Sequence, residues 1–447
     1  MTERHPDPRK LARLGRSSLS RAASRDIVRH LLSGCESCQR IAAGIVPFGR
    51  SAFSRQESFD YTEAFASAYR VLAEKEAALH AERVEASHLV RELGLHPFDR
   101  QQLLVANSRR FWTWAFCDLL LDRSHDFGFQ DPSRALELAQ LGVKTADLLS
   151  AEFYGEGRVY DLRARAWAIA GNAQRIGADF RAAEGSFTRA ERLLKKGTSD
   201  PLEKARVLLL KASLLGDLGR FAEAAKVLSR VLSIAQRNSD AQLLGKALVK
   251  RGIYLGNEGR TEAAIDSLAE GIRHVDPKSD PRLLVAARHN LIIYLTEAGR
   301  LREAVTLLDA TRPLYRELGD RMNLIRLRWL EGKIAQTEGR LSQAETLYRE
   351  VGESLAECGL GYDSALLGLD LAGVYARQGR MAEMRTLAAE LLPTFQSREV
   401  HREALAALIV FQKAAEMERV TLGLVQELSD YLRQCRRTPG VRFRDTF

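Results

Sequence analysis

The sequence predicts an all-α solenoid of stacked antiparallel helical hairpins, and three observations carry that reading. The dipeptide Gly-Arg recurs at 219, 259, 299, 339 and 379, a constant step of 40 residues, and self-similarity at a fixed period of this length is the mark of a repeat architecture. Around each Gly, small and apolar residues return at helical spacing. The composition is 45% hydrophobic but only 7% aromatic, with Ala, Leu, Arg and Glu abundant, which suits stacked helices better than a β-sandwich. A chain of 447 residues also exceeds the size at which one compact core keeps growing, so it forms an elongated array or several domains.

The repeated blocks read GRFAEAAKVL from Gly219, GRTEAAIDSL from Gly259, GRLREAVTLL from Gly299, GRLSQAETLY from Gly339 and GRMAEMRTLA from Gly379. In each, the Gly ends one helix in a conformation that a Cβ would penalise, and the next helix starts about two residues later. Five positions after the Gly stands a small residue (Ala224, Ala264, Ala304, Ala344), and nine after it a larger apolar one (Leu228, Leu268, Leu308, Tyr348). The two share a helix face. Seven before the Gly, residues Ala212, Gly252, Ile292, Gly332 and Ala372 mark where the first helix of the pair crosses the second. Such a hairpin cannot bury its apolar face alone, so the units stack and their ends need caps.

An earlier segment, WAIAGNAQRIGADFRAAEGSFTRA, carries Trp167, Gly171, Phe180, Ala183, Phe187 and Ala190. These residues resemble the tetratricopeptide repeat, with its Trp, Gly, aromatic, Ala, aromatic and Ala. The resemblance covers six units over residues 156–395, each longer than the family's unit of about 34 residues. It implies a right-handed solenoid whose first helices line a concave face and hold a protein or peptide without a reaction.

Flanking segments supply the caps. Residues 57–155 read as divergent helical hairpins, interrupted at Gly94 and Pro97 and again from Ser124 to Pro132. Within them Trp112, Trp114 and Phe116 are expected to fill core rather than stack on bases. Residues 396–435 read as C-terminal capping helices and 436–447 as a basic tail. The first 56 residues hold 11 Lys and Arg against 4 Asp and Glu, and the last 16 hold five against one, so of the formal +9 the body carries a slightly negative share. Basic ends serve nucleic acid, an anionic surface or an acidic partner, or simply solvate the chain. No stretch reaches the roughly 18 apolar residues of a membrane span, and no apolar segment follows the N-terminal charges as in a secretory signal. A cytoplasmic protein is expected, with Cys117, Cys358 and Cys435 as isolated small hydrophobes.

The N-terminal module, residues 1–56, contains VRHLLSGCESCQRIA, which places His30, Cys35 and Cys38 within nine residues. Cys-x-x-Cys is the spacing with which two thiolates grip one tetrahedral metal. His30 would project from the last turn of a helix that Gly34 breaks, and His5 is the nearest candidate for a fourth ligand. A metal-free remnant and a redox dithiol remain as alternatives, the latter without the βαβ setting of thioredoxin-type motifs. The run resembles the zinc-binding module of anti-sigma factors, with four residues rather than three between His30 and Cys35. That resemblance implies one structural zinc ion held by His5, His30, Cys35 and Cys38, and a transcription factor of the sigma type as partner.

On the expected concave face, Arg165, Arg206, Lys246 and Arg326 occupy equivalent positions, with Ala286 breaking the series. Asn172, Arg175, Asn257, His289, Trp329, Lys333 and Gln336 flank them. Arg grips carboxylates bidentately and Asn holds extended backbone, so this ladder is expected to bind an acidic peptide. Long helices also carry Lys and Arg for solvation alone. The sequence holds no GxxxxGK[ST] loop, GxSxG elbow or HExxH pair, so no enzyme is expected. The competing expectation is a nucleic-acid-associated regulator that uses the basic termini and binds with a steep salt dependence.

Overall fold

The computed structural model describes residues 5–15, 19–32, 35–45, 62–128, 131–358, 361–396, 409, 411, 412, 414, 415 and 420–437. Among them every regular element is helical, with no strand. Residues 46–61, the stretch between 397 and 408 that would begin the C-terminal caps, and the basic tail beyond Arg437 lie outside the described residues. The chain divides into two units, residues 1–78 and 79–447.

The first unit contains α1 (Pro8–Gly15), α2 (Arg21–Leu32) and α3 (Glu36–Ile45). Asp7 opens α1 by accepting from the Arg9 N–H at 2.8 Å. Ser20 opens α2, its Oγ accepting from Ala23 N–H at 3.4 Å. The described core here is three residues, Leu11, Ile27 and Cys38, with Leu19, Leu31 and Cys35 against it. A core this small does not offset the entropy of ordering three helices, and domains of such size usually depend on a disulfide or metal staple.

The long α4 (Thr62–Gly94) ends at the predicted Gly94, and α5 (Phe98–Asn107) follows Pro97. A single 3-10 turn over Arg109–Phe111 then separates α5 from α6 (Trp114–Phe127), which pairs with α7 (Pro132–Leu148). The sequence reading missed that turn because no Gly or Pro marks it. Phe111 and Phe116 are fully buried with Trp112 half-buried against their core, and Trp114 is half-buried against the neighbouring cluster of Cys117, Leu121 and Tyr154. The Trp112 Nε1–H donates to the Val105 carbonyl at 2.7 Å.

After the short α8 (Ala151–Tyr154) come six hairpins. They are α9 (Glu156–Ile176) with α10 (Phe180–Leu194), α11 (Pro201–Asp217) with α12 (Phe221–Arg237), and α13 (Ala241–Asn257) with α14 (Thr261–His274). Next are α15 (Pro281–Glu297) with α16 (Leu301–Leu318), α17 (Arg321–Thr337) with α18 (Leu341–Cys358), and α19 (Gly361–Gln378) with α20 (Met381–Gln396). Each hairpin stacks on the next, and α21 (Leu422–Arg437) packs on α19. This is the tetratricopeptide-like helical solenoid that the repeats predict.

The repeat positions act as their chemistry requires. Gly219, Gly259, Gly299, Gly339 and Gly379 all have φ between 68° and 78°, the left-handed region where a Cβ is costly. Ala224, Ala264, Ala304 and Ala344 are completely buried, as are Leu228, Leu268 and Tyr348. Asp200, Asp240, Asp280 and Asp320, themselves 40 residues apart, cap α11, α13, α15 and α17 by accepting from an N–H in the first turn. Each such cap contributes about 1 kcal/mol.

Gly252 sits where α13 crosses α14. A Cβ there would meet Leu268 Cγ at 2.6 Å and the Ala264 carbonyl at 3.1 Å. Overpacking of this kind costs about 1–3 kcal/mol. Gly252→Ala is therefore expected to lower the urea midpoint of the full-length protein, whereas Gly259→Ala meets no atom and loses stability through its positive φ alone.

Candidate metal centre and solenoid face

His5 precedes α1, His30 lies in the last turn of α2, Cys35 immediately precedes α3, and Cys38 stands in the first turn of that helix. The start of α3 thus brings both thiols to the imidazole at the end of α2, and the chain before α1 brings His5 to the same place. One potential ligand atom from each of the four lies within 4.8 Å of the other three. His5 Nδ1 is 3.3 Å from Cys35 Sγ and 3.5 Å from Cys38 Sγ. The two imidazoles meet edge to face with centroids 5.6 Å apart.

This spacing can be tested against the metal. Bonds of about 2.0 Å to nitrogen and about 2.3 Å to sulfur set neighbouring ligands of a tetrahedral zinc roughly 3.3–3.8 Å apart. Both N···S separations fit that edge, and the four side chains together could hold one metal ion. Burial, followed by the adjacent Cys35, holds the Cys38 thiol above its usual range; a bound cation reverses that balance by favouring thiolate. Among the described residues this is the only cluster of His, Cys, Asp and Glu so arranged. Cys117, in contrast, is completely buried and donates to the Gly142 carbonyl at 3.3 Å, and burial raises its pKa.

In the second unit, the residues of the expected basic ladder lie on the first helices α9, α11, α13, α15 and α17. Most of them already hold an acid, usually from the next hairpin. Arg165 binds Glu203 through Nη2 at 2.5 Å and Asp118 through Nη1 at 2.7 Å. Arg206 joins the same Glu203 at 2.8 Å. Lys246 pairs with Asp280 at 3.2 Å and Lys333 with Asp370 at 2.7 Å. The Trp329 Nε1–H also donates to Asp370 at 2.7 Å, so that carboxylate ties two residues of α17 to α19. Arg175 pairs with Asp217 and donates to the Asn172 amide oxygen at 3.0 Å, and Asn172 itself is buried. These cations staple one hairpin to the next. Arg326 is exposed and has no carboxylate partner among the described residues, and Asn257 is half-buried.

His289 is half-buried, with Nδ1 2.8 Å from the hydroxyl of the fully buried Tyr315. Desolvation, then the charges of Arg326 and Lys333, push its pKa down to about 3. It stays neutral in the folded chain, whereas an unfolded histidine titrates near 6.5. Between pH 6.5 and 3 the unfolded state binds the extra proton, so stability falls with pH there by on the order of 1 kcal/mol per unit. Denaturant titrations at pH 7 and pH 5 are expected to show this loss, and the His289→Gln variant to show less of it.

The sequence reading missed Lys250. It lies one turn beyond Lys246 on α13, is half-buried, and donates to Ser213 Oγ at 2.7 Å. Charges from other helices meet there as well: Arg175 of α9 and Asp217 of α11 act on Lys250, while Lys246, Asp280 and Lys250 act on His125 of α6. Charged groups of α6, α9, α11 and α13 thus act on one another within the second unit. The carboxyl of Asp122, also on α6, is raised by desolvation and by Asp118 and Asp126.

Fold and site together define a class, a helical-hairpin solenoid whose chain also carries a His/Cys cluster. No family model matches the sequence, and no curated protein matches it. The chain is similar to the crystal structure of aspartyl phosphate phosphatase F from Bacillus subtilis, at 15% identity and a TM-score of 0.49 over 90% of this chain and 96% of that one. It is also similar to a Rap protein complexed with competence and sporulation factor, at 14% identity and a TM-score of 0.44 over 80% and 99% of the two chains. A third similar structure is BtubC (BKLC) from P. vanneervenii, at 14% identity and a TM-score of 0.39 over 55% and 90%. No helix among the described residues is long and apolar enough to cross a membrane.

Proposed function

We propose that this chain is a non-catalytic interaction regulator, in which a zinc-stapled N-terminal module is joined to a solenoid that binds a protein or peptide on its first-helix face. The observation that carries the reading is the convergence of His5, His30, Cys35 and Cys38 in a unit whose described core is only three residues. Four protein ligands close a tetrahedral ion, which makes it structural, since catalysis needs an open coordination position. The solenoid supports the binding half of the reading. Its first helices present Asn257, Lys250 and Arg326 on rigid, mutually stapled elements, and rigid scaffolds that display polar side chains are suited to recognition. The partner class implied by the module's resemblance is a sigma-type transcription factor.

Site-directed photo-crosslinking in cells tests this proposal. A photoreactive residue at Asn257 or Arg326 is expected to trap one protein partner. The same group at Arg230, on the exposed face of the second helix α12, is expected to trap none. Crosslinks to nucleic acid from these positions, or equal protein yield from Arg230, would overturn the reading.

A further inference from the structure

The ladder expected from sequence is largely neutralised from within, which leaves open where an acidic ligand would be held. Around Lys250 the cations are unevenly paired. Lys250, Lys246 and Arg175 are cationic, Asp217 pairs with Arg175, and Asp280 pairs with Lys246. His125 is held toward its neutral form, by desolvation first and then by Lys246. Lys250 has a hydroxyl, Ser213 Oγ, as its hydrogen-bond acceptor and no carboxylate within ion-pair distance among the described residues. Lys250 is thus the one of these three cations that no carboxylate pairs. A half-buried ammonium that no carboxylate pairs directly is costly in a folded protein.

We propose that Lys250, between Arg175 and Lys246, is the carboxylate-binding subsite of the solenoid and takes one Asp, Glu or chain-terminal carboxylate of an acidic peptide. This rests on the proposed function and names the chemistry of the partner. The choice of occupant follows from charge complementarity: one carboxylate would give Lys250 the ion pair that Arg175 and Lys246 already have, and its second oxygen can reach a neighbouring donor. The electrostatics agree. Burial, then Arg175 and Lys246 against Asp217, lowers the pKa of Lys250 to about 8. A bound carboxylate raises it again, so binding above that pH requires proton uptake and affinity falls as pH climbs from 7 to 9.

The test uses full-length protein and a fluorescent hexaglutamate peptide, with binding read by anisotropy. Lys250→Met is expected to bind about 10- to 100-fold more weakly than the parent, the usual effect of losing a charge-assisted hydrogen bond. Lys250→Arg, which keeps the charge at all these pH values, is expected to retain binding and lose the decline between pH 7 and 9. This second variant shows that the effect is not one of misfolding. Arg230→Met is expected to bind as the parent does. Equal affinity in Lys250→Met would overturn the subsite while leaving the solenoid reading to the crosslinking result. Absence of peptide binding in the parent, or binding of inorganic phosphate in its place, would overturn the carboxylate as occupant.

Discussion

Replacement of Arg165 by Met is expected to cost about 3 kcal/mol of stability, in the range observed when one partner of a buried ion pair is removed. Arg165 links three hairpins at once: it belongs to α9 and binds Asp118 of α6 and Glu203 of α11. Glu203 is only 7% exposed, so without Arg165 it keeps Arg206 as a single, outward partner and its own desolvation is poorly offset. The methionine would fill much of the same space, so a large loss reports charge rather than volume. The double variant Arg165→Met with Glu203→Leu should recover most of it, because replacing both members of a buried pair by apolar groups is often neutral. Thermal melts of the parent, the two single variants Arg165→Met and Glu203→Leu, and the double variant check this. A single variant as stable as the parent would show that the pair does not staple the hairpins.

The second large effect is expected at the N-terminal cluster. Cys35→Ser combined with Cys38→Ser removes two of four ligands, and zinc bound by small modules supplies on the order of 10 kcal/mol of their folding free energy. The three described core residues cannot replace that. The variant should lose bound zinc and become rapidly cleaved by protease within α1 to α3. The hairpins from α9 to α20 have their own buried cores and should keep their melting transition. Protection of α1 to α3 that survives the double substitution would mean that the unit folds without metal.

Much of the fold was legible because its turns and crossings use residues with narrow physical roles. Glycine at a positive φ and alanine at a close crossing are hard to replace, and both recur every 40 residues at the positions predicted. The four candidate ligands are legible for a related reason, since His and Cys are scarce and His30, Cys35 and Cys38 sit close in sequence, with His5 the nearest further candidate upstream. The Asp200, Asp240, Asp280 and Asp320 caps were also in plain view at the same 40-residue step and were overlooked. The neutralisation of the ladder was not legible. Whether Arg165 meets Glu203, or Lys246 meets Asp280, depends on how far each hairpin rotates on its neighbour, and no local spacing encodes that rotation. Lys250 was hidden for the same reason. By sequence it is one more lysine on a long helix, and only the approach of α11 gives it a hydroxyl, Ser213 Oγ, in place of a carboxylate.

Zinc content and zinc-edge X-ray absorption of freshly reduced, full-length protein read the N-terminal centre directly. One zinc per chain is expected, with two sulfur ligands at about 2.3 Å and two nitrogen ligands at about 2.0 Å, and with the ion absent from the Cys35→Ser, Cys38→Ser variant. A metal-free chain with an ordered N-terminal unit, or a bound zinc whose ligands are unchanged in that variant, would contradict it.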